Sequence, residues 1–179
     1  MVSEAYTLAH TRGHHNTAFC QADAEALPFG PHECDLITSK LAFHYFPHPQ
    51  MALAEMVRVT TPEARLVLID RVSPEDPKQR AYQNQLEKLR TPNKTYVYST
   101  SQLVAALQDV GLVVDAQAQY AEVMEVDTWL RAAGVDEPTA RMILTLLTVA
   151  GDPAGLQVRR DGERLLMTHQ TMILVARRG

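Results

Sequence analysis

The fold is decided by residues 35–70, DLITSKLAFHYFPHPQMALAEMVRVTTPEARLVLID. Asp35–Ser39 and Ala64–Asp70 are short apolar runs of strand length, and the first is predicted to be covered on both faces. Between them, Gln50–Val59 has helical spacing and ends before Pro62. The residues predicted to form the buried face of this helix are Met51, Leu53, Ala54 and Val57.

Strands and helices alternate along the rest of the chain. Further strands are predicted at Thr17–Ala22, Leu112–Tyr120 and Met172–Arg177, with a hairpin around Asp161 and Gly162. The alternation predicts an α/β fold with a mostly parallel sheet flanked by helices, whose ligands lie at the carboxyl ends of the strands. The remaining predicted helices are Met1–Thr11, one starting near Pro77, one capped by Ser99 or Ser101 and closed by Gly111, Val126–Ala133 and Glu137–Val149.

Composition limits the function classes. The chain has 179 residues, 46% of them apolar, and a net charge of −4, which argues against nucleic acid or an anionic membrane as the main partner. No apolar run reaches the roughly 18 residues of a membrane span, and no secretion signal is visible. Cys20 and Cys34 are expected to be free thiols in a cytoplasmic protein. The spacing of the histidines and cysteines matches no zinc-ligand pattern, so no metal site is expected.

The first candidate site residues are Asp23 and Ala24, at the end of the predicted strand Thr17–Ala22. The carboxylate of Asp23 could accept a hydrogen bond from an exocyclic amine such as adenine N6. The backbone N–H of Ala24 could donate to a ring nitrogen. The alternative is that Asp23 only caps the turn.

A second group follows the strand Asp35–Ser39. Lys40 and Leu41 are expected to line the crevice at the strand end, and His44 and Tyr45 lie one turn further on. A neutral imidazole near a substrate hydroxyl or acidic carbon can act as a general base. The alternative is that His44 packs under the following loop.

Four segments together carry a family resemblance. QADAEALPF (21–29), DLITSKLAFHYFPHPQMALAEMVRV (35–59) and ARLVLIDRVSPEDP (64–77) resemble class I S-adenosylmethionine-dependent methyltransferases of the ubiquinone/menaquinone C-methyltransferase type. The resemblance runs from about Met1 to Gly111, and MILVARR (172–178) fits the closing strand of the family. It implies a Rossmann-like methyltransferase fold.

The resemblance also implies roles for the candidate residues. Asp23 and Ala24 would contact the adenine of S-adenosylmethionine, and Lys40 and Leu41 would lie beside its methionine part. His44 and Tyr45 would face a small-molecule methyl acceptor. The protein would mainly align donor and acceptor for in-line displacement.

Two features depart from the family pattern. No G-x-G occurs in the sequence, so the strand, glycine-rich loop, helix and strand that open the family fold are not found. Lys94 stands where related sequences tend to carry a histidine. The chain is therefore expected to be one incomplete, N-terminally truncated methyltransferase domain, residues 1–179, with residues 121–165 as a helical and hairpin insertion before the last strand.

Three functions remain open at this stage. The leading one is S-adenosylmethionine-dependent methyl transfer to a small molecule. The others are an inactive subunit that pairs with another methyltransferase chain and a small-molecule-binding or cyclase-type protein. Because the two absent strands would lie between Thr17–Ala22 and Asp35–Ser39, a partner chain is expected to cover the exposed edge, most simply in a homodimer.

Overall fold

The computed structural model describes residues 2–149 and 151–179. They form one five-stranded sheet with the order β1-β2-β5-β3, and β4 pairs with β5. The strands are β1 (Cys34–Lys40), β2 (Thr60–Val72), β3 (Leu112–Glu125), β4 (Arg159–Asp161) and β5 (Arg164–Arg178). The helices are α1 (Val2–Thr11), α2 (Pro49–Val59), α3 (Pro77–Arg90), α4 (Thr100–Asp109), α5 (Val126–Ala132) and α6 (Glu137–Leu147).

The α/β fold class is confirmed, but the prediction of a mostly parallel sheet is wrong. Only β1 and β2 pair in parallel, joined by the crossover helix α2. β5 runs antiparallel to β2, β3 and β4. The chain reverses direction after β4 in a tight hairpin, in which Gly162 has φ 61°. The following strand, β5, then lies between β2 and β3, so most of the pairings in the sheet are antiparallel.

The helices begin where the sequence supplies capping residues. Asp76 caps α3 by accepting hydrogen bonds from the backbone N–H groups of Lys78 and Gln79. Ser99 and Gln102 form a reciprocal capping box at the start of α4. These contacts satisfy backbone donors that the first helical turn leaves without partners, and they fix the lengths of the loops that follow β2.

Two apolar cores cover different parts of the sheet. The first joins α2 and α4 to β2 and β5, and Phe43, which lies between β1 and α2, is buried in it. The second joins α3, α5 and α6 to the N-terminal half of β5 and contains Trp129. In α2 the buried residues are Ala52, Leu53, Met56 and Val59. The predicted helix is confirmed, but its predicted buried face was mostly wrong, because Met51 and Ala54 are exposed, Val57 is half-buried and only Leu53 is buried.

The predicted strand Thr17–Ala22 does not form. Residues 12–33 contain no strand, only an isolated bridge between Asp23 and Ala26. A strand needs a pairing partner for its backbone groups, and β1, at the edge of the sheet, pairs with β2 alone among the described residues. Leu36 of β1 is 57% exposed, so the prediction that this strand is covered on both faces is also wrong.

Candidate functional site

The loop that carries Asp23 is fastened to α2 rather than to a neighbouring strand. Glu55 accepts a hydrogen bond from the backbone N–H of Leu27 at 2.8 Å and binds the Arg58 guanidinium at 2.6 Å. That guanidinium also donates to the carbonyl of Phe29 at 2.9 Å. The bond to Arg58 holds the pKa of Glu55 well below its usual range, at about 2. The loop therefore keeps a fixed position without a strand before it.

Asp23 itself closes its turn. Its Oδ1 accepts a hydrogen bond from the N–H of Glu25 at 2.9 Å, and the side chain is exposed. Asp23 and Ala24 line an open hollow, here called the loop depression, together with Phe46 on the opposite side. Its full lining is residues 21–25, Phe46 and Pro47. A carboxylate, a backbone turn and an aromatic ring around one hollow fit an adenine ring.

The turn after β1 has an unusual backbone. Lys40 ends the strand with its side chain exposed, and Leu41 adopts the left-handed conformation with φ 53°. The N–H of Leu41 still donates to the carbonyl of Ile69 at 2.8 Å, so the sheet continues to the start of the turn. A left-handed leucine is strained and persists only where its surroundings hold it.

His44 is fixed at three points. Its ring Nδ1 lies 2.5 Å from Asp70 Oδ1, its backbone N–H donates to Asp70 Oδ2 at 3.2 Å, and its carbonyl accepts from the N–H of Thr95 at 2.8 Å. His44 and Asp70 are both buried. Because the Asp70 carboxylate accepts a hydrogen bond from Nδ1–H, the free lone pair of a neutral ring lies at Nε2.

A cavity of ≈ 250 Å³, here called the His44 cavity, lies beside this pair. Of the six predicted site residues, Leu41, His44 and Tyr45 line it, whereas Asp23, Ala24 and Lys40 do not. Tyr45 lines the cavity and the next residue, Phe46, lines the loop depression, so consecutive residues contribute to the two hollows. The lining also includes Arg71, Glu87, Arg90, Lys94, Met124, Thr128, Trp129 and Ala132.

A buried ion pair forms one wall of the cavity. Lys94 Nζ lies 2.7 Å from Glu87 Oε2, and both side chains are almost fully buried. Burial opposes ionisation of Glu87, but the Lys94 ammonium outweighs it and holds the pKa of Glu87 below its ordinary value. The ammonium also lies 5.9 Å from the centre of the Tyr45 ring. Lys94 therefore has a charged partner and an aromatic neighbour inside the cavity.

His169 lies next to this ion pair and is neutral. Its Nδ1 is 4.0 Å from Glu87 Oε1, yet burial and the nearby cation Arg71 lower the pKa of His169 to about 3. Neither ring nitrogen has a hydrogen-bond partner among the described residues. The ring packs 5.8 Å from Trp129.

Sequence reasoning missed several of these residues. Asp70 ends the strand Ala64–Asp70, and a polar residue at the carboxyl end of a buried strand is the signal that had singled out Asp23. Lys94 was noted only as a departure from a family pattern. Glu87 and Arg90 lie on α3. Most residues of this helix are polar, and that composition predicts a solvent-exposed helix. No sequence signal separates its buried charges from its exposed ones.

Comparison with known proteins finds similar sequences and structures. Residues 1–68 match the family described as methyltransferase domain. The uncharacterized methyltransferase YcgJ of Bacillus subtilis is 31% identical over 154 residues, which are 86% of this chain and 61% of YcgJ. Its crystal structure matches with a TM-score of 0.93 at 27% identity, covering 99% of this chain and 78% of that one. This chain is therefore similar to known methyltransferases in both sequence and fold.

Other known proteins match over shorter lengths or at lower identity. A ubiquinone/menaquinone biosynthesis C-methyltransferase, UbiE of Ectopseudomonas mendocina, is 37% identical over 62 residues, which are 35% of this chain and 24% of UbiE. A solved structure from Bacillus halodurans C-125 shares the fold with a TM-score of 0.93 at 20% identity, covering 98% of this chain and 78% of that one. This chain spans 61% of the YcgJ sequence, which is less than two thirds of that relative.

In the described part of the chain, no helix is long and apolar enough to cross a membrane. Residues 2–149 and 151–179 also contain no group of three or more histidine, cysteine, aspartate or glutamate residues that could hold a metal ion. Cys20 and Cys34 are both free.

Proposed function

We propose that this chain supports methyl transfer from S-adenosylmethionine to a small molecule bound in the His44 cavity. The observation that carries the proposal is the His44–Asp70 pair, which presents Nε2 of His44 at a cavity next to the loop depression. An oriented histidine beside a carboxylate is an arrangement suited to general base catalysis.

His44 would accept the proton that the acceptor loses when its oxygen or carbon forms the bond to the methyl group. Asp70 would keep the proton of the neutral ring on Nδ1, so that Nε2 remains the basic atom. Tyr45, whose ring centre lies 4.4 Å from that of His44, would hold the face of the acceptor. The backbone contacts of His44 fix the ring, so that it loses little orientational freedom when the acceptor binds.

The donor side of the proposal uses the loop depression and the turn after β1. S-adenosylmethionine supplies a methyl group on a positively charged sulfur. Asp23 Oδ2, Ala24 N–H and the Phe46 ring would hold the adenine, and Lys40 and Leu41 would lie beside the methionine part. Asp23 Oδ2 is available to a ligand, because only Oδ1 accepts a hydrogen bond within the turn.

Calorimetric titration with S-adenosylhomocysteine tests the donor side. The expected result is saturable binding at micromolar concentration, weakened by Asp23→Ala by about 1–3 kcal/mol, the contribution of a hydrogen bond from the adenine amine to a charged carboxylate. Asp109→Ala, at the exposed end of α4, is the matched control and should bind as the parent does. Absence of heat would overturn methyl transfer by this chain and favour an inactive subunit or a small-molecule-binding, cyclase-type protein.

We also propose that a second chain covers β1, in a homodimer or with another methyltransferase chain, in the cytoplasm. Support comes from the edge position of β1 and the 57% exposure of Leu36. The two free cysteines support a reducing compartment. Light scattering that shows a monodisperse monomer at micromolar concentration would rule out the homodimer, and Leu36→Glu should shift a dimer toward monomer.

A further inference from the structure

The His44 cavity carries more positive than negative charge. Three cationic side chains line it, those of Arg71, Arg90 and Lys94, against one carboxylate, that of Glu87. Glu87 is 2.7 Å from Lys94, so this pair is internally balanced. The guanidinium groups of Arg71 and Arg90 remain. Their partners determine whether the cavity has a positive charge that could attract a ligand.

Arg71 has only a solvent-facing counter-ion. Its Nη2 lies 3.0 Å from Glu122 Oε2, and the Glu122 side chain is 49% exposed. Its Nη1 meets only the Met124 sulfur at 3.9 Å, and a thioether is a weak acceptor. Pairing with an exposed carboxylate is screened by water and salt, so Arg71 keeps much of its positive potential on the cavity side.

Arg90 forms no salt bridge among the described residues, although the Glu87 carboxylate attracts it from a longer distance. Its Nε donates to the carbonyl of Trp129 at 2.9 Å, and its Nη1 donates to the Thr91 hydroxyl at 3.1 Å. Nη2 has no acceptor among the described residues. Burial lowers the pKa of Arg90, as expected of a cation held in partly apolar surroundings. An acceptor oxygen at Nη2 would recover part of this desolvation cost.

The walls limit the shape of what could bind. Trp129 is stacked under the Arg90 guanidinium at 4.7 Å, and Tyr45 lines the same cavity. A cavity of about 150 Å³ can hold a benzene ring, so ≈ 250 Å³ accommodates one ring with its substituents. The neutral state of His169 agrees with a positive field, because Arg71, Lys94 and Arg90 all oppose its protonation.

We propose that the methyl acceptor is a planar molecule of one-ring size that carries a carboxylate or another anionic oxygen group. Arg90 would bind that group through Nη2, Arg71 would add to the attraction, and Trp129 and Tyr45 would hold the ring. This assignment rests on the proposed function in one respect, namely that the His44 cavity is the acceptor site.

Benzoate and its neutral isostere benzamide test the charge requirement on the parent protein. Trp129 is the only tryptophan of the chain, so its fluorescence reports on the cavity directly. We expect benzoate to change the fluorescence saturably at about 1 mM or tighter. Benzamide should bind at least about tenfold more weakly, and added salt should weaken benzoate alone.

Two variants localise the effect. Arg90→Gln should weaken benzoate by about tenfold and leave benzamide nearly unchanged, because the amide loses no ion pair. Arg131→Gln is the matched control. It removes an exposed guanidinium of α5, and Arg131 itself does not line the cavity. It should leave both affinities unchanged.

Equal binding of benzoate and benzamide to the parent protein, or no saturable binding of benzoate, would overturn the proposal even if Arg90→Gln failed to fold. Mutual exclusion of benzoate and S-adenosylhomocysteine would also overturn it, because the cations would then serve the donor's carboxylate. Selective benzoate binding by a chain that does not bind S-adenosylhomocysteine would support the anionic ligand class while overturning methyl transfer. The two proposals therefore fail separately.

Discussion

Replacing His169 by phenylalanine is expected to remove much of the acid sensitivity of this protein. His169 is 1% exposed, and its pKa falls from 6.5 to about 3 on folding because burial and the neighbouring cations oppose its charge. The unfolded chain therefore binds the proton first as the pH falls. The stabilising contribution is complete above pH 6.5 and is lost progressively between pH 6.5 and pH 3.

The size of the effect follows from these two values. A pH of 5.0 lies about 1.5 pH units below the unfolded pKa, and each unit corresponds to about 1.36 kcal/mol. Between pH 7.5 and pH 5.0, His169 should therefore cost the folded state about 2 kcal/mol of unfolding free energy. In His169→Phe this part of the loss should disappear, because phenylalanine does not titrate.

Urea denaturation at pH 7.5 and pH 5.0 measures the quantity directly, as the difference in unfolding free energy between the two conditions. The parent protein should lose about 2 kcal/mol more than His169→Phe. His14→Phe, a substitution of an exposed histidine, should behave as the parent does. Equal losses in the parent and in His169→Phe would refute the conclusion that His169 is held neutral by its surroundings.

Three further predictions concern stability and turnover. Lys94→Met should destabilise the protein by about 3–5 kcal/mol in urea denaturation, since it leaves Glu87 charged and buried; adding Glu87→Leu should recover most of the loss, and a double variant as unstable as the single one would contradict the pairing. Asp70→Asn should lower the rate of methyl transfer without changing calorimetric affinity for S-adenosylhomocysteine; a proportional loss of both would indicate a structural role. Leu53→Ala should cost about 2–5 kcal/mol, whereas Leu8→Ala, at an exposed leucine of α1, should stay within about 0.5 kcal/mol; similar costs would contradict the assigned burial.

The unit β1-α2-β2 could be predicted from the sequence because each element carries its own signal. Apolar runs of strand length flank a helical repeat, and Pro49 provides a favourable first helical residue. The orientation of α2 was less well predicted. Met51 is apolar and correctly spaced, but it extends past the edge of the core and is exposed. Periodicity identifies a helix more reliably than it identifies which apolar residues are covered.

The pairing of the strands could not be predicted from local signals. Thr17–Ala22 has the composition of a strand but no described neighbour to pair with, and the loop is held instead by Glu55 and Arg58. The direction of β5 depends on the hairpin at Gly162 and on its insertion between β2 and β3. Both features are tertiary, so composition alone favoured the wrong sheet.

The candidate site was partly predictable. Leu41, His44 and Tyr45, three of the six predicted site residues, line one cavity. Asp70 was missed although its place at the carboxyl end of a buried strand is a usable signal. Arg90 was missed because nothing in the sequence distinguishes it from the exposed charges of α3. The roles of all six predicted site residues remain predictions.

The most direct test of the central claim is ultraviolet cross-linking of S-adenosylmethionine carrying a labelled methyl group, followed by tryptic mapping. Asp23, Ala24 and Lys40 fall in the peptide 13–40, and Leu41, His44 and Tyr45 fall in the peptide 41–58. We predict label in one or both of these peptides and its loss when excess S-adenosylhomocysteine is present. Label that excess S-adenosylhomocysteine does not remove, or label confined to other peptides, would contradict the assignment of the donor site.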